Sequence, residues 1–281
     1  MAVTRSALRA EVEDNGYVVV PGVVPASQLE AVITDIFAHV GADRADRTSW
    51  YKPGLVSSAG MVEMYHYQSM WDNRQHPRLH EVFAEVLGTE ALWVTLDRTN
   101  LKPPADAAHP EFNFKGFIHW DTDITRYPDT RFGVQGVLAL ADTPQGMGGF
   151  QCVPAMYRDL GPYLERRRAA GADVQRADPS GYEVVRPALR AGDLVIWSTL
   201  MPHGNGENTS EQPRLAQYIS MHRARLDDSA AREGRIACWR DSLPPAGKAF
   251  PGDPRKIEEQ RREPAHLTGL GRRLLGIEAW E

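Results

Sequence analysis

The sequence predicts a mainly β fold, a double-stranded β-helix or jelly roll with helices that buttress one side of it. Helical patterns gather in the first third of the 281-residue chain, and short strands separated by turn residues fill its middle. No fixed-period repeat or low-complexity segment interrupts this order. A single jelly roll often reaches this length, so we expect one domain over residues 1–281.

The composition is that of an ordinary globular protein. Hydrophobic residues make up 42% and charged residues 25% of the chain, which is enough to bury a core. The net charge of −5 and a pI near 6.0 argue against a nucleic-acid partner, which would require a basic excess. No secretory signal core or membrane-spanning run is visible, so we expect a cytoplasmic protein without a membrane partner. The oligomeric state cannot be read from the sequence.

Elements of the first third follow from turn and helix signals. Tyr17-Val18-Val19-Val20 is a short β-branched run that ends at Pro21-Gly22. A helix is expected from Pro25 to Val40 with Gly41 at its end, and a second one from His76 to Leu87 with Gly88 at its end. His76 and His80 lie four residues apart on the second helix, and we interpret them as exposed helix residues rather than a metal pair.

The stretch from Trp50 to Trp71 is rich in aromatic residues and methionine. Core packing and the lining of a ligand pocket both explain such a composition. Residues 91–101 then predict one long strand, whose alternation places Arg98 and Asn100 on one face.

The rest of the chain alternates strands with one helical excursion. Strands are expected at 132–140, 150–154 and 181–187, and a helix at 156–170. Arg166-Arg167-Arg168 lies in that helix, as a solvated face or alternatively as a phosphate or CoA contact. Residues from Cys238 onward are expected to be mostly irregular, with a short helix at 268–275. Cys238 and Cys152 form neither a disulfide framework nor a zinc pattern.

Candidate metal-binding residues lie in Phe117-Ile118-His119-Trp120-Asp121, which is predicted to be the end of a strand. Side chains at i and i+2 leave a strand on the same face, so His119 and Asp121 converge while Trp120 faces the other way. An imidazole and a carboxylate suit non-haem Fe(II), and the facial triad of that metal needs one more histidine.

A third ligand and an anion-binding residue follow later in the chain. His203 stands where the apolar run 194–201 breaks into a segment rich in glycine and asparagine. Arg214 comes eleven residues after His203 and leads into a second apolar run. Arginine beside an iron site can hold a carboxylate through a two-point fork that lysine does not match.

These residues resemble the Fe(II)/2-oxoglutarate-dependent dioxygenases, and the spacing of His203 and Arg214 is similar to that of the phytanoyl-CoA dioxygenase branch. Further similar stretches are Asn15–Gly22, Leu101–Pro104, Gly148–Pro154 and Leu267–Gly276, so the resemblance covers nearly the whole chain. The family usually continues the middle proline with Gly-Ser/Thr-His, whereas this chain has Pro154-Ala155-Met156-Tyr157. We therefore transfer no substrate from a relative.

The resemblance implies a cupin-like barrel whose iron-binding core spans about 91–222, with His119, Asp121 and His203 as ligands of Fe(II). Arg214 would hold the distal carboxylate of 2-oxoglutarate. Gln135 and Asn100 are candidates for further contacts with 2-oxoglutarate, although for Asn100 a polar residue at a strand edge is an equal alternative. Candidates for the substrate pocket are Tyr65, Tyr67, Trp120 and Trp239.

The implied reaction is hydroxylation of an unactivated C–H bond in a small molecule of bacterial specialised metabolism. It would consume O2 and convert 2-oxoglutarate to succinate and CO2. Relatives that halogenate carry a small residue in place of the carboxylate, so Asp121 argues against halogenation. Two alternatives stay open, a cupin-like metal protein that does not use 2-oxoglutarate and a catalytically silent relative. The substrate could be an acyl-CoA, an amino acid, a phosphonate, a terpenoid or a polyketide.

Overall fold

Antiparallel strands form the centre of the molecule in a computed structural model, which describes residues 6–261 and 263–280. The strands are β1 (Tyr17–Val20), β2 (Met61–Val62), β3 (Leu92–Val94), β4 (Thr99–Lys102), β5 (Val134–Ala139), β6 (Phe150–Cys152), β7 (Leu194–Ser198), β8 (His203–Asn205), β9 (Arg214–Tyr218) and β10 (Met221–Arg223). The larger sheet has the order β1-β7-β5-β9-β4-β2, and β10 pairs separately with β3.

A second, smaller layer is built around β6 and β8, which pair with each other. Isolated bridges extend this layer on both sides, because Cys152 pairs with Val185 and His203 pairs with His119. The two layers confirm the predicted double-stranded β-helix. The core between the layers includes Val137, Val195 and Cys152, which are at most 1% exposed.

Helices gather in the first third of the chain and pack on one side of the strands, as predicted. Glycine in the left-handed region ends α2 at Gly41 (φ 64°) and α4 at Gly88 (φ 67°), so both predicted stops are confirmed. The helices are α1 (Ala7–Asn15), α2 (Ala26–Val40), α3 (Gln68–Arg74), α4 (Pro77–Leu87), α5 (Pro154–Arg158), α6 (Leu160–Ala169), α7 (Ser229–Arg240) and α8 (Gly269–Leu275). Among the described residues, no helix is both long and apolar enough to span a membrane.

Four predicted elements differ in the structure, and one of them, the single helix expected at 156–170, is divided into α5 and α6 at Asp159. The long strand expected at 91–101 is divided, because β3 pairs with β10 whereas β4 pairs with β9 in the larger sheet. Residues 181–187 form no strand and contribute only the bridge at Val185. The irregular segment expected from Cys238 begins inside α7, a helix with no buried residue and therefore no strong apolar stripe to reveal it.

The interpretation of His76 and His80 as exposed residues is wrong, because His76 is half-buried and His80 is buried. Nε2 of His80 lies 2.9 Å from the carbonyl oxygen of Glu90, and the ring of His80 stacks on Trp280. His80 therefore serves packing, and it belongs to no metal-binding group among the described residues.

The segment after α7 is fastened to the body by a buried carboxylate. Glu258 is 4% exposed and accepts hydrogen bonds from the backbone N–H groups of Tyr65 and His66, both at 2.6 Å. Trp239 adds a hydrogen bond to the carbonyl oxygen of Ala265 at 2.9 Å. The C-terminal part of the chain is thus held against residues 65–66.

Glu258 should make stability depend on pH. Burial raises the pKa of Glu258 to about 7 from 4.5, so the folded protein keeps a proton that the unfolded chain has lost between these values. The stabilising contribution is complete below pH 4.5 and is lost as pH rises through about 7, by at most about 3 kcal/mol. Urea unfolding across this range should show a smaller decrease for Glu258→Gln than for the wild type. Glu259→Gln, which changes the half-buried neighbour, is the matched control and should behave like the wild type. Equal pH slopes for all three proteins would contradict the assignment.

Candidate metal centre

His119 and His203 are brought together by backbone pairing in the smaller layer. The N–H of His119 donates to the carbonyl oxygen of His203 at 2.9 Å, and the N–H of His203 donates back at 3.0 Å. Their rings lie 4.8 Å apart between centroids. The two predicted histidines, 84 positions apart in the sequence, are therefore direct cross-strand neighbours.

Asp121 completes a cluster with these histidines. Its Oδ1 lies 3.3 Å from Nε2 of His119, and its Oδ2 lies 3.4 Å from Nε2 of His203. One ligand atom from each of the three residues lies within 4.8 Å of the others. Around an octahedral metal with bonds of about 2.1 Å, adjacent ligand atoms lie roughly 3 Å apart. The spacing therefore fits a metal bound on one face, with its other positions open.

The protonation of the cluster also fits a cation. Nδ1 of His203 lies 2.9 Å from the carbonyl oxygen of Met201, which can only accept, so Nδ1 carries a proton and Nε2 faces Asp121. A neutral ring would then direct a lone pair at a carboxylate oxygen, and a proton or a metal ion must lie between them. Without metal, hydrogen bonds from His119 and His203 hold the pKa of Asp121 well below its usual range. The carboxylate is therefore ionised, as a metal ligand must be.

Gln135 of β5 holds the carboxylate of Asp121 in place. Its Nε2 donates to Oδ2 of Asp121 at 2.7 Å, and its Oε1 accepts from Nε1 of Trp197 at 3.2 Å. Both polar ends of the amide are thus engaged within the protein. Sequence reasoning favoured Gln135 as a 2-oxoglutarate contact, whereas the structure places it on a candidate metal ligand.

Replacing Gln135 should weaken metal binding. Hydrogen-bond partners of metal ligands orient those ligands, and their loss typically lowers metal affinity about 10- to 100-fold. We expect Gln135→Met to show a loss of this size for Mn(II), measured by titration with electron paramagnetic resonance. Gln145→Met makes the same change on an exposed turn and should bind like the wild type. Unchanged affinity in Gln135→Met would show that Asp121 needs no such support.

Arg214 begins β9 directly opposite Lys102 of β4. The two side chains are 2% and 1% exposed, respectively. Arg214 donates to the hydroxyl of Tyr218 at 3.2 Å, and Lys102 donates to the carbonyl oxygens of Phe114 and Gly206 at 2.8 and 2.5 Å. Burial, reinforced by the charge of Arg214, lowers the pKa of Lys102 to about 8.

This pair of buried cations is a candidate site for an anion, and neither side chain lines the cavity beside the triad. Within residues 6–261 and 263–280, neither Arg214 nor Lys102 has a carboxylate oxygen within 4.0 Å. A buried charge without a counter-charge is costly, and a carboxylate group from a ligand would relieve that cost. Sequence reasoning missed Lys102, although its place next to Asn100 in an alternating strand was a signal.

Asn100 is not placed at the metal centre. It is fully buried, its Nδ2 donates to the carbonyl oxygen of Ala59 at 3.0 Å, and it does not line the cavity beside the triad. The alternation was predicted correctly, because Arg98 of the same face lines that cavity, whereas the amide of Asn100 is engaged by the backbone of Ala59.

A cavity of about 180 Å³ adjoins the triad. The four predicted pocket residues are absent from its lining, so their placement in the substrate pocket is corrected. Trp120 turns away and donates to the carbonyl oxygen of Leu200, Tyr67 contacts His39, and Trp239 binds Ala265. Tyr65 is buried and its hydroxyl donates to Glu63. The residues that line the cavity and that sequence reasoning missed include Asp97, Phe150, Trp197, Asn205 and Tyr218.

A cluster of two histidines and one carboxylate on a double-stranded β-helix is the arrangement of the mononuclear non-haem iron enzymes. The sequence matches the family described as Phytanoyl-CoA dioxygenase (PhyH) over residues 12–216, which is most of the chain. The protein belongs to this family, whose members use Fe(II), 2-oxoglutarate and O2.

Individual relatives are distant. A Dictyostelium discoideum protein that bears the family's name is 21% identical over 256 residues, which covers 74% of this chain and 73% of that protein. Ava biosynthesis cluster protein O of Aspergillus versicolor is 25% identical over 229 residues, which covers 73% and 72%. The structure of SnoN, a non-haem α-ketoglutarate-dependent epimerase from nogalamycin biosynthesis, is similar with a TM-score of 0.54 at 21% identity, covering 93% and 94% of the two chains. These similarities support the fold and the family.

Proposed function

We propose that this protein is an Fe(II)- and 2-oxoglutarate-dependent oxygenase that hydroxylates an unactivated C–H bond of a small molecule. The observation that carries the proposal is the convergence of His119, Asp121 and His203 within 4.8 Å. The buried cations Arg214 and Lys102 support it, because they offer a site for the second carboxylate of a dicarboxylic acid. Similarity to a protein of a fungal biosynthesis cluster supports a role in specialised metabolism.

His119, Asp121 and His203 would hold the ferrous ion, and Arg214 would bind the distal carboxylate of 2-oxoglutarate through its guanidinium fork. When bound, iron with 2-oxoglutarate and O2 supplies an oxidant strong enough to attack a C–H bond, with release of succinate and CO2. Met201 fixes the tautomer of His203, and Gln135 fixes the rotamer of Asp121. Phe150 and Trp197 lie beside His203 and exclude water from that side of the cluster, whereas the Asp121 side chain is 52% exposed.

Hydroxylation is the outcome that a three-residue ligand set favours. Asp121 occupies the position that a halide would need on the metal, so transfer of a halogen is disfavoured. Mass spectrometry of the product distinguishes the remaining outcomes, since hydroxylation adds one oxygen atom whereas desaturation removes two hydrogens.

The test is an anaerobic titration of metal-free protein with Fe(II), followed by 2-oxoglutarate, in which the weak visible charge-transfer band of a chelated keto acid is recorded. We expect the band in the wild type and a higher 2-oxoglutarate requirement in Arg214→Ala. Iron binding without a band would favour a cupin-like metal protein that does not use 2-oxoglutarate. Failure to bind iron would favour a catalytically silent relative.

A further inference from the structure

A second and larger cavity lies beside α7. Its volume is about 920 Å³, it is open to the surface, and it is bordered by α7, by the proline-containing segment 243–250 and by the chain around residues 95–97 and 222. Its lining is largely apolar and includes Leu96, Leu243, Pro244 and Phe250. Ligand sites for organic molecules have this size and character.

The helix beside this cavity presents small side chains to it. Ala231, Gly234, Ala237 and Cys238 line the cavity and recur at the three- and four-residue spacing of one helix face. No residue of α7 is buried; Cys238 packs partly against the core, whereas Ala231, Gly234 and Ala237 of this face border the cavity. The apolar space is therefore formed where α7 meets the segment 243–250.

The second cavity and the cavity beside the metal centre share one lining residue, Asp97. The side chain of Asp97 is 29% exposed. Its Oδ1 accepts from the N–H of Arg98 at 2.7 Å, and within the described part of the chain Oδ2 has no hydrogen-bond donor. Oδ2 of Asp97 is thus available to a ligand. Asp97 lies between the second cavity and the cavity that Asp121 lines.

The cations around the second cavity are already engaged. Arg235 donates to the carbonyl oxygens of Val94, Leu274 and Leu275 and lies over the ring of Trp93, and Arg225 pairs with Asp228 at 3.2 Å. Arg235 and Arg225 therefore offer few free hydrogen-bond donors to a phosphate group. This favours an uncharged apolar ligand over an acyl-CoA.

Much of the lining of the second cavity lies outside the residues that match the family. The family match ends at residue 216, whereas α7 and the segment 243–250 follow it. The family match therefore includes the lining residues 95–97 but not those of α7 and the segment 243–250.

We propose that the cavity beside α7 binds the body of the substrate, a largely apolar organic molecule with a hydroxyl or amino group near the carbon to be oxidised. Asp97 is the residue that receives this hydrogen-bond donor and so positions the carbon toward the metal centre. The inference rests on the proposed function, because the occupant is identified by its access to the metal.

The test uses fluorine NMR with fluorobiphenyl and its hydroxymethyl derivative as probes. The protein carries either Mn(II), which is paramagnetic, or Zn(II) as the diamagnetic control, and occupancy of the triad is measured first by Mn(II) titration. We expect both probes to bind, the hydroxymethyl derivative more tightly because its hydroxyl donates to Asp97, and Mn(II) to increase their relaxation several-fold over Zn(II). Ala237→Trp should abolish binding because it fills the cavity. Glu233→Trp changes an exposed position of the same helix and should bind like the wild type.

Two further measurements protect the test. Alkylation of Cys238 by phenylmaleimide in the folded wild type should block probe binding without any mutation. Cys152 is fully buried and should not react, and Cys238→Ser, which lacks the reactive thiol, is the control. Asp97→Ala should abolish the advantage of the hydroxymethyl probe over fluorobiphenyl, whereas both should still bind.

The outcomes separate this inference from the proposed function. Absence of probe binding, binding that survives both Ala237→Trp and alkylation, or binding without a Mn(II) effect at an occupied triad would overturn the cavity assignment. An unchanged preference in Asp97→Ala would overturn the role of Asp97. The keto-acid band of the earlier titration is independent of the probes, so its absence bears on the oxygenase function alone.

Discussion

Asp121→Ala should abolish turnover and lower metal affinity by more than about 100-fold, beyond the usual effect of losing a residue that only supports a ligand. The change removes the one anionic ligand from a cluster in which both histidine Nε2 atoms face the same carboxylate at 3.3 and 3.4 Å. It also leaves Nε2 of Gln135 without its acceptor. Mn(II) titration and succinate release in the presence of excess Fe(II) measure the two effects.

The matched control is Asp123→Ala, two positions further on. Asp123 is exposed, and its carboxylate caps a short turn by accepting from the N–H of Thr125 at 3.1 Å. It lies outside the cluster, so the variant should keep metal affinity and turnover. Full activity of Asp121→Ala in metal-replete buffer would remove Asp121 from the ligand set and with it the proposed centre.

Two of the three candidate ligands could be predicted from local geometry, whereas His203, which meets His119 only through cross-strand pairing, was placed by the resemblance to the family. His119 and Asp121 converge through their i and i+2 spacing even though residues 117–121 contribute only a single bridge. Residues that act across strands could not be predicted in this way. Lys102 faces Arg214 only because β4 and β9 pair in that register, and Gln135 reaches Asp121 only because β5 lies beside the cluster.

The difference between local and long-range contacts also explains which parts of the fold could be predicted. Helix ends at Gly41 and Gly88 were predicted since a left-handed residue is a local requirement. The helix α7 was missed because it lies at the surface without a buried stripe. Tyr65 and Trp239 were expected in the substrate pocket, but the C-terminal segment engages the backbone N–H of Tyr65 through Glu258 and the indole of Trp239 through Ala265. Composition alone does not tell which aromatic residues such a segment covers.

Arg214→Ala should raise the concentration of 2-oxoglutarate needed for half-maximal turnover about 10- to 100-fold, the range expected for losing hydrogen bonds to a charged group. Iron affinity should change little, because Arg214 lies on β9 outside the ligand cluster. The informative quantity is the loss of 2-oxoglutarate affinity relative to the loss of iron affinity. Equal losses of both affinities would indicate a general loss of structure. Arg190→Ala, at an exposed position, is the control and should change neither.

Arg214→Lys separates charge from geometry at this position. Lysine keeps the positive charge beside Lys102 but provides a single ammonium group in place of the planar fork, so we expect only partial recovery of 2-oxoglutarate binding relative to Arg214→Ala. The hydroxyl of Tyr218 would lose its present donor from Arg214 and keep the one from Asn205 at 3.0 Å. Complete recovery would mean that the buried pair acts as a simple positive charge, and two-point recognition of the carboxylate would then be excluded. Steady-state kinetics with varied 2-oxoglutarate, at saturating iron and O2, decide between these outcomes.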